Sequence, residues 1–350
     1  MGEVEPAFIQ ELQHRPKLCV IEAEEIPVID LSPVTNEAVS EASSIERLVK
    51  EIGSACKEWG FFQVINHGVP LNLRENIEKA SRMFFSQSLE EKRKVSRDER
   101  NAMGYYDTEH TKNVRDWKEV FDSVAKDPTL VPLTPHEHDD RLTYWTNSSP
   151  QYPPHLRSTI KKYVEETEKL SFKLMELIAL SLGLEAKRFE EFFVKDQTSL
   201  FRLNYYPTCP SPHLALGVGP HKDVGALTVL AQDEVEGLEV KHNGDWIRIK
   251  LIPNSFIINL GDIVQVWSND AYESPEHRVV VNSEKERFSY PFFLFPAQET
   301  EVKPLEELIN DQNPSKYRPY KWGKFLVHRF STNFKKREVD NIQILHYKIK

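Results

Sequence analysis

An α+β fold with a mainly β core is what this sequence predicts, and three observations predict it. From Thr198 to about Ala297, β-branched and aromatic runs recur every 8 to 12 positions between turn residues, the signature of an antiparallel sandwich or barrel. Two long stretches with helical apolar spacing precede that region, and a Pro-rich connection lies between them.

Taken in order, residues 1–24 read as an extended or partly helical arm, and 26–31 (IPVIDL) as a first strand. Over 44–59 the apolar residues Ile45, Leu48, Val49, Ile52, Ala55, Cys56 and Trp59 fall on one helical face, with Gly60 as the stop signal. The run 61–65 (FFQVI) is a strand closing on the turn Asn66-His67-Gly68. Six prolines within 126–154 mark a long connection or the seam between two halves. A second helix spans 155–182, with Ile160, Val164, Leu170, Leu174, Leu177 and Ile178 inward and Gly183 past its end, long enough to act as a spine. The strands that follow are SLFRLNYY, LTVLAQ, LEVKH, WIRIKL, SFIINLG, IVQVWS, RVVVN and FSYPFFLF, and charged, helical or irregular segments follow Pro304. The chain thus divides into an N-terminal region (1–125), a connector and spine helix (126–197), a β core (198–300) and a C-terminal segment (301–350).

Composition excludes several function classes. A chain of 350 residues buries a substantial core and needs no disulfide or zinc staple. A net charge of −9 opposes a nucleic-acid partner, since such affinity comes from neutralising phosphates; Lys335, Lys336 and Arg337 read as solvated surface. Three cysteines, Cys19, Cys56 and Cys209, show no paired spacing and are expected to be free thiols in a reducing compartment. The acidic N-terminus does not resemble a signal peptide, Pro6 spoils a myristoylation pattern after Gly2, and no apolar run approaches the roughly 18 residues of a membrane span. A cytoplasmic monomer without membrane partners is expected.

The chemistry concentrates in the β-rich part. His221-Lys222-Asp223 places an imidazole and a carboxylate at i and i+2 of one strand, on the same face, and His277 follows 54 residues after Asp223. Two histidines and a carboxylate form a facial triad that leaves adjacent positions open on a metal, as Fe(II) oxygen chemistry requires, although the same donors suit zinc. A lone His-x-Asp is weak evidence, and the chain holds another, His138-Asp139-Asp140, beside His136 and Glu137, where a solvated loop is the simpler account. Arg287 and Ser289 follow His277 by ten and twelve positions; as i and i+2 on the next strand they share a face and suit a dicarboxylate tail, through a guanidinium fork and a hydroxyl. Asn204-Tyr205-Tyr206-Pro207 brings a phenol toward the same pocket.

These motifs, in this order, resemble the plant 2-oxoglutarate-dependent dioxygenase superfamily, in the group that includes flavonol synthase and anthocyanidin synthase. The likeness runs through IPVIDLS, WGFFQVINHGV (59–69), EEKRKV (90–95), NYYPTCP (204–210), LALGVGPHKDVGALTVLAQD (214–233), GLEV, GDIVQVWSN and HRVVVN with the Arg-x-Ser pair. The resemblance implies a double-stranded β-helix, or jelly roll, with N-terminal helices around it. It implies Fe(II) on His221, Asp223 and His277, and 2-oxoglutarate with its C5 carboxylate on Arg287 and Ser289 and with Tyr206 and Asn204 in contact. The resemblance further implies that O2 is consumed, that ascorbate supports turnover, and that His67 of INHG is a structural turn residue rather than a ligand. By the same likeness Arg202 stands where flavonol-oxidising relatives have a lysine, and Phe121, Phe293 and Phe295 fall on segments lining the substrate cavity, with plain hydrophobic core as the competing account.

Two features depart from the family. Lys222 replaces a small Ser or Thr between the ligands, and 269–274 (NDAYES) replaces an Asn-Gly and Lys pattern, which alters charge near the site entrance. The implied reaction couples decarboxylation of 2-oxoglutarate to hydroxylation, desaturation or oxidative demethylation of a plant specialised metabolite such as a flavonoid, another phenolic or an alkaloid. The carboxylate of Asp223 occupies the slot where related halogenases bind halide, so halogenation is not expected. An oxidase of the same fold that needs no 2-oxoglutarate is disfavoured by the dicarboxylate clamp, and a catalytically silent binding protein is disfavoured because no triad member is missing.

Overall fold

The computed structural model describes residues 4–16, 21–22, 26–36, 41–332 and 341–349. Gly2, Cys19, Lys335, Lys336, Arg337 and parts of the expected N-terminal arm lie outside them. The elements that position the site are β1 (Val28–Asp30), α1 (Ala42–Glu58), β2 (Phe61–Ile65), α2 (Leu71–Phe85), β3 (Gly104–Tyr106), β4 (Glu119–Val124), α3 (Leu156–Ser181), β5 (Leu200–Tyr206), β6 (Leu216–His221), β7 (Leu227–Gln232), β8 (Leu238–His242), β9 (Asp245–Arg248), β10 (Phe256–Leu260), α4 (Asp262–Trp267), β11 (His277–Val280), β12 (Arg287–Leu294) and α5 (Trp322–Thr332).

An eight-stranded sheet runs β1-β2-β10-β7-β12-β5-β4-β3, and a five-stranded sheet runs from the short strand Ile21–Glu22 through β9-β8-β11-β6. From β5 to β8 the chain alternates between the two sheets, and it does so again from β9 to β12. This is the jelly roll expected of the sequence. Four of the eight strands in the larger sheet come from before residue 126, so the N-terminal region and the core share one sheet. The sheet's outer side is covered by helices. The spine α3 buries Ile160, Val164, Leu170, Leu174, Leu177 and Ile178 along its length, and α1 and α2 pack against it. α1 turns Leu48, Ile52, Ala55 and Cys56 inward, as its 3.6-residue period requires.

One local expectation is corrected. The run IVQVWS forms α4 rather than a strand: all six residues of α4 are buried, so no polar side marks a period of 2 or 3.6, and Asp262 in the first turn is the one helix signal. The Pro-rich connection contains a hairpin, Thr129–Pro132 paired with Leu142–Trp145.

Candidate metal and co-substrate site

The register of the smaller sheet brings together two of the three candidate metal ligands. β6 and β11 run antiparallel with His221 directly opposite His277, so two residues 56 apart in sequence become neighbours with rings 4.2 Å apart. β6 ends at His221, and Asp223 lies in the loop to β7; it does not share a strand with His221, as the i, i+2 spacing suggested. The loop nonetheless returns its carboxylate: Asp223 Oδ1 lies 3.7 Å from Nε2 of both His221 and His277. The ligand atoms of the three residues all lie within 4.8 Å of one another, a spacing that one ion can bridge, and no other such group occurs among the described residues.

Each of the three candidate ligand groups is aimed by a partner on its far side. His221 Nδ1 meets Gly219 O at 2.9 Å and His277 Nδ1 meets Pro275 O at 3.2 Å; with Nδ1–H donating to those carbonyls, both Nε2 lone pairs face Asp223. Thr228 Oγ1 and Asn259 Nδ2 both donate to Asp223 Oδ2, at 2.6 and 2.8 Å, leaving Oδ1 turned to the histidines. Burial, and then the second imidazole, push His221 down, so its ring is neutral at ordinary pH. Burial opposes the charge on Asp223, yet His277, His221 and the bonds from Thr228 and Asn259 hold its carboxyl below the usual range. A neutral imidazole at His221 and an ionised carboxylate at Asp223 are protonation states that suit a divalent metal.

The inward face of the larger sheet supplies the rest. In register, Asn259 lies opposite Thr228, Thr228 opposite Phe293, Gln232 opposite Ser289, Ser289 opposite Asn204, and Arg287 opposite Tyr206. One face therefore carries Asp223's partners at one end and the Arg-x-Ser pair at the other. Arg287 is 2% exposed and held on three sides: Nε donates to Val235 O (3.1 Å), Nη2 to Gln232 Oε1 (2.7 Å), and the guanidinium sits 5.0 Å from the Tyr206 ring centroid. Nη1 has no partner and is buried, as is Asn204 Oδ1. Asn204 Nδ2 donates to Ser289 Oγ at 3.2 Å, which leaves the serine O–H free to donate. Unmet buried donors are rare and costly, so this cradle fits a carboxylate. The Nε–Nη2 edge serves to anchor the side chain, and the donor left over is Nη1 rather than the full fork the sequence suggested.

The four pocket residues separate. Phe293 lies opposite Thr228, on the sheet face that braces Asp223, and is half-buried. Phe295 is buried against Trp322, ring centroids 5.1 Å apart. Phe121 takes the opposite face, 4.9 Å from Phe84 of α2, because Asp122 next to it points inward opposite Arg202; it belongs to the helix-side core. Arg202 is fully engaged, donating to Asp122 at 2.6 and 2.8 Å and to Glu109 at 2.9 and 3.1 Å. Burial works against Glu109's charge, but Arg202, Lys118 and Arg97 hold its carboxyl well below the usual range.

Thr228, Asn259, Gln232 and Glu109 are absent from the sequence-level candidates. The first three are polar residues at inward strand positions among apolar neighbours, a signal that buried hydrogen-bond partners exist. Among the other expectations, His67 has Nε2 2.8 Å from Asn254 O and accepts Val69 N–H at 3.1 Å on Nδ1, a turn role. Lys222 favours the charge on buried Asp262, which burial pushes up to about 6. Asp270 of the altered 269–274 segment is held by Tyr317, Gln265 and Lys348, so its charge is neutralised against the C-terminal segment. Asp139 is bound by Thr134 and Arg141.

A jelly roll with a two-histidine, one-carboxylate cluster and an Arg-x-Ser cradle defines the class of non-haem oxygenases, and comparison with known proteins agrees. Residues 197–296 match the 2OG-Fe(II) oxygenase superfamily, and residues 26–152 match the non-haem dioxygenase in morphine synthesis N-terminal family. Jasmonate-induced oxygenase 2 of Arabidopsis thaliana is 38% identical over 87% of this chain and 78% of its own length. Thebaine 6-O-demethylase of Papaver somniferum is 36% identical over 84% and 78%. The crystal structure of JOX2 in complex with 2OG, Fe and JA superposes with a TM-score of 0.77 at 33% identity, covering 93% of this chain and 89% of that one. The chain belongs to the 2OG-Fe(II) oxygenase superfamily. It is an enzyme that uses Fe(II), 2-oxoglutarate and O2.

Proposed function

We propose that His221, Asp223 and His277 hold the iron, that Arg287 and Ser289, with Asn204 and Tyr206 alongside, hold the distal carboxylate of 2-oxoglutarate, and that the substrate is a small specialised metabolite of the phenolic or alkaloid kind. The observation that carries this is the unpartnered, buried Nη1 of Arg287 beside the free hydroxyl of Ser289, on the sheet face that also braces Asp223. Iron and 2-oxoglutarate together supply the oxidising chemistry: O2 is consumed, succinate and CO2 leave, and a substrate C–H bond is hydroxylated, desaturated or, at an O-methyl group, opened to demethylation.

The protein's own residues position and exclude. Thr228 and Asn259 fix which carboxylate oxygen of Asp223 faces the metal, and the carbonyls of Gly219 and Pro275 fix the two imidazole tautomers. Gln232 and Val235 hold the Arg287 side chain before the co-substrate arrives, so little rotamer entropy is lost on binding. Half-buried Phe293, beside Thr228 on the same face, forms the apolar wall for a planar substrate. Arg202 contributes no free charge, because Glu109 and Asp122 already neutralise it. The relatives named for jasmonate-induced oxygenation and thebaine demethylation support a specialised-metabolite substrate. The protein acts as a cytosolic monomer supported by ascorbate; free, buried Cys56 and Cys209 accord with a reducing compartment. No described helix is long and apolar enough to cross a membrane.

The test is anaerobic titration of the metal-free protein with Fe(II) and 2-oxoglutarate, followed by O2 and a panel of plant phenolics and alkaloids with succinate as readout. A weak visible charge-transfer band and stimulation of succinate by one panel compound are expected; a folded protein that forms no band overturns the assignment. In the same titration Arg287→Ala weakens 2-oxoglutarate binding by about 1.5–3 kcal/mol, roughly 10- to 100-fold, because a charge-assisted hydrogen bond is lost. Iron affinity stays unchanged in that variant, and an unaltered 2-oxoglutarate affinity rules out the clamp.

A further inference from the structure

We propose that Asp116 is a positioning residue for the metal centre: acting through Gly219, it holds the irregular end of β6 that delivers His221. The inference rests on the assignment of His221, Asp223 and His277 as ligands. β6 does not keep a regular ladder. Its register against β11 shifts between Leu216 and Val218 and again between Val218 and His221, so sheet hydrogen bonds alone leave the strand end under-determined where a ligand must be placed to within a fraction of an ångström. The backbone N–H of Gly219, inside the second irregularity, donates instead to Asp116 Oδ1 at 3.1 Å. Gly219's own carbonyl then receives His221 Nδ1 at 2.9 Å. One residue thus joins a buried carboxylate to the ligand's tautomer and ring orientation.

Asp116 is itself fixed. Its side chain is fully buried; Thr111 Oγ1 donates to Oδ2 at 2.9 Å, and Lys118 Nζ lies 3.3 Å from the same oxygen. Thr111 also packs on Gly219, where an added Cβ would come within 3.0 and 3.1 Å of its side chain, so the strap 109–118 grips β6 by shape as well as by hydrogen bond. Behind Asp116 the ion chain continues: Lys118 to Glu109 at 2.7 Å, Glu109 to Arg202, and Arg202 to Asp122. Arg202 stands on β5, on the face it shares with Asn204 and Tyr206, so the chain of charges ties the strand end carrying His221 to the strand carrying the co-substrate contacts. No member of this chain touches the triad directly, and the other account of the cluster is a brace for the fold alone.

Co(II), whose visible spectrum reports ligand geometry without turnover or 2-oxoglutarate, separates the two. The full-length protein is titrated with Co(II) as wild type, Asp116→Ala and Asp116→Asn, with thermal melting in parallel. Asp116→Ala is expected to bind Co(II) about 10- to 100-fold more weakly, the range for loss of an outer partner of a ligand, with an altered visible spectrum. Asp116→Asn keeps an oxygen for Gly219 N–H and is expected to recover most of the affinity and the wild-type spectrum. Should Asp116→Ala fail to fold, Gly219→Ala tests the same linkage: its methyl group would meet the Thr111 side chain at 3.0 and 3.1 Å, so the strap or the strand end must give by a few tenths of an ångström, and a smaller loss with an altered spectrum is expected. Wild-type affinity and spectrum in Asp116→Ala, or equal losses in the Ala and Asn variants that track melting temperature, overturn the proposal. A wild type that binds no Co(II) defeats the ligand assignment itself, and with it this inference.

Discussion

His277→Ala is expected to abolish 2-oxoglutarate-dependent succinate formation while the protein stays folded. His277 is 6% exposed, with its ring 4.2 Å from His221 and 5.8 Å from Phe61, and its Nε2 lies 3.7 Å from Asp223 Oδ1. Its removal leaves an imidazole and a carboxylate, too few donors to hold a divalent ion against water. Loss of an outer partner typically costs 10- to 100-fold in metal affinity, and loss of a ligand from a three-residue set should exceed about 100-fold. The structural cost is smaller. Truncating one buried, partly polar side chain costs about 0.5–3 kcal/mol, within the roughly 5–15 kcal/mol that holds a native domain together. Fe(II) titration, succinate assay and a melting curve on one preparation separate the two effects, and retained turnover in the folded variant would remove His277 from the iron.

The jelly-roll strands were legible because they alternate or run apolar between turn residues, and the spine helix because its inner positions keep a 3.6 period over 26 residues. IVQVWS was not, since a short segment buried on every side carries no period and strand and helix look alike in it. The candidate triad was suggested by resemblance rather than by spacing: His-x-Asp is too common to carry weight, and the pairing of His221 with His277 depends on a register no local pattern specifies. Phe121 shows how sharp that dependence is. One position along β4 separates an inward Asp122 from an outward Phe121, and sequence likeness to a pocket segment does not say which of the two faces the metal. Arg202 shows the other limit: Glu109 and Asp122, which neutralise it, lie 93 and 80 residues away, so a cation that looked available for a substrate is already taken.

The turn from β10 into α4 lies against the loop that carries Asp223, and Gly261→Ala is expected to disturb both stability and metal binding through that contact. Gly261 has φ −101, a conformation open to any residue, so left-handed freedom is not its purpose. Space is: a Cβ there would stand 2.1 Å from Gly225 O, 2.7 Å from Gly225 C and 3.1 Å from Asp223 O, all backbone atoms with no rotamer to move away. Around this point Gly261 N–H donates to Ala226 O (3.0 Å), Asp262 N–H to Asp223 O (2.8 Å) and Ile263 N–H to Gly225 O (3.0 Å). Relieving the clash separates the turn from the loop by about 1 Å and stretches these buried bonds. Overpacking costs about 1–3 kcal/mol, and each buried bond broken adds about 1–3 kcal/mol, so a total of roughly 3–5 kcal/mol is expected. Because the displaced loop holds Asp223, Fe(II) affinity should fall in the same variant. Gly183→Ala is the control. It has φ +77 past the end of α3 with nothing within 4 Å of the added Cβ, so it should cost only the left-handed penalty of about 1–2 kcal/mol and leave iron binding untouched. Denaturant unfolding with parallel Fe(II) titration distinguishes them: equal stability losses, or an unchanged iron affinity in Gly261→Ala, would mean that the β10–α4 turn does not anchor the Asp223 loop.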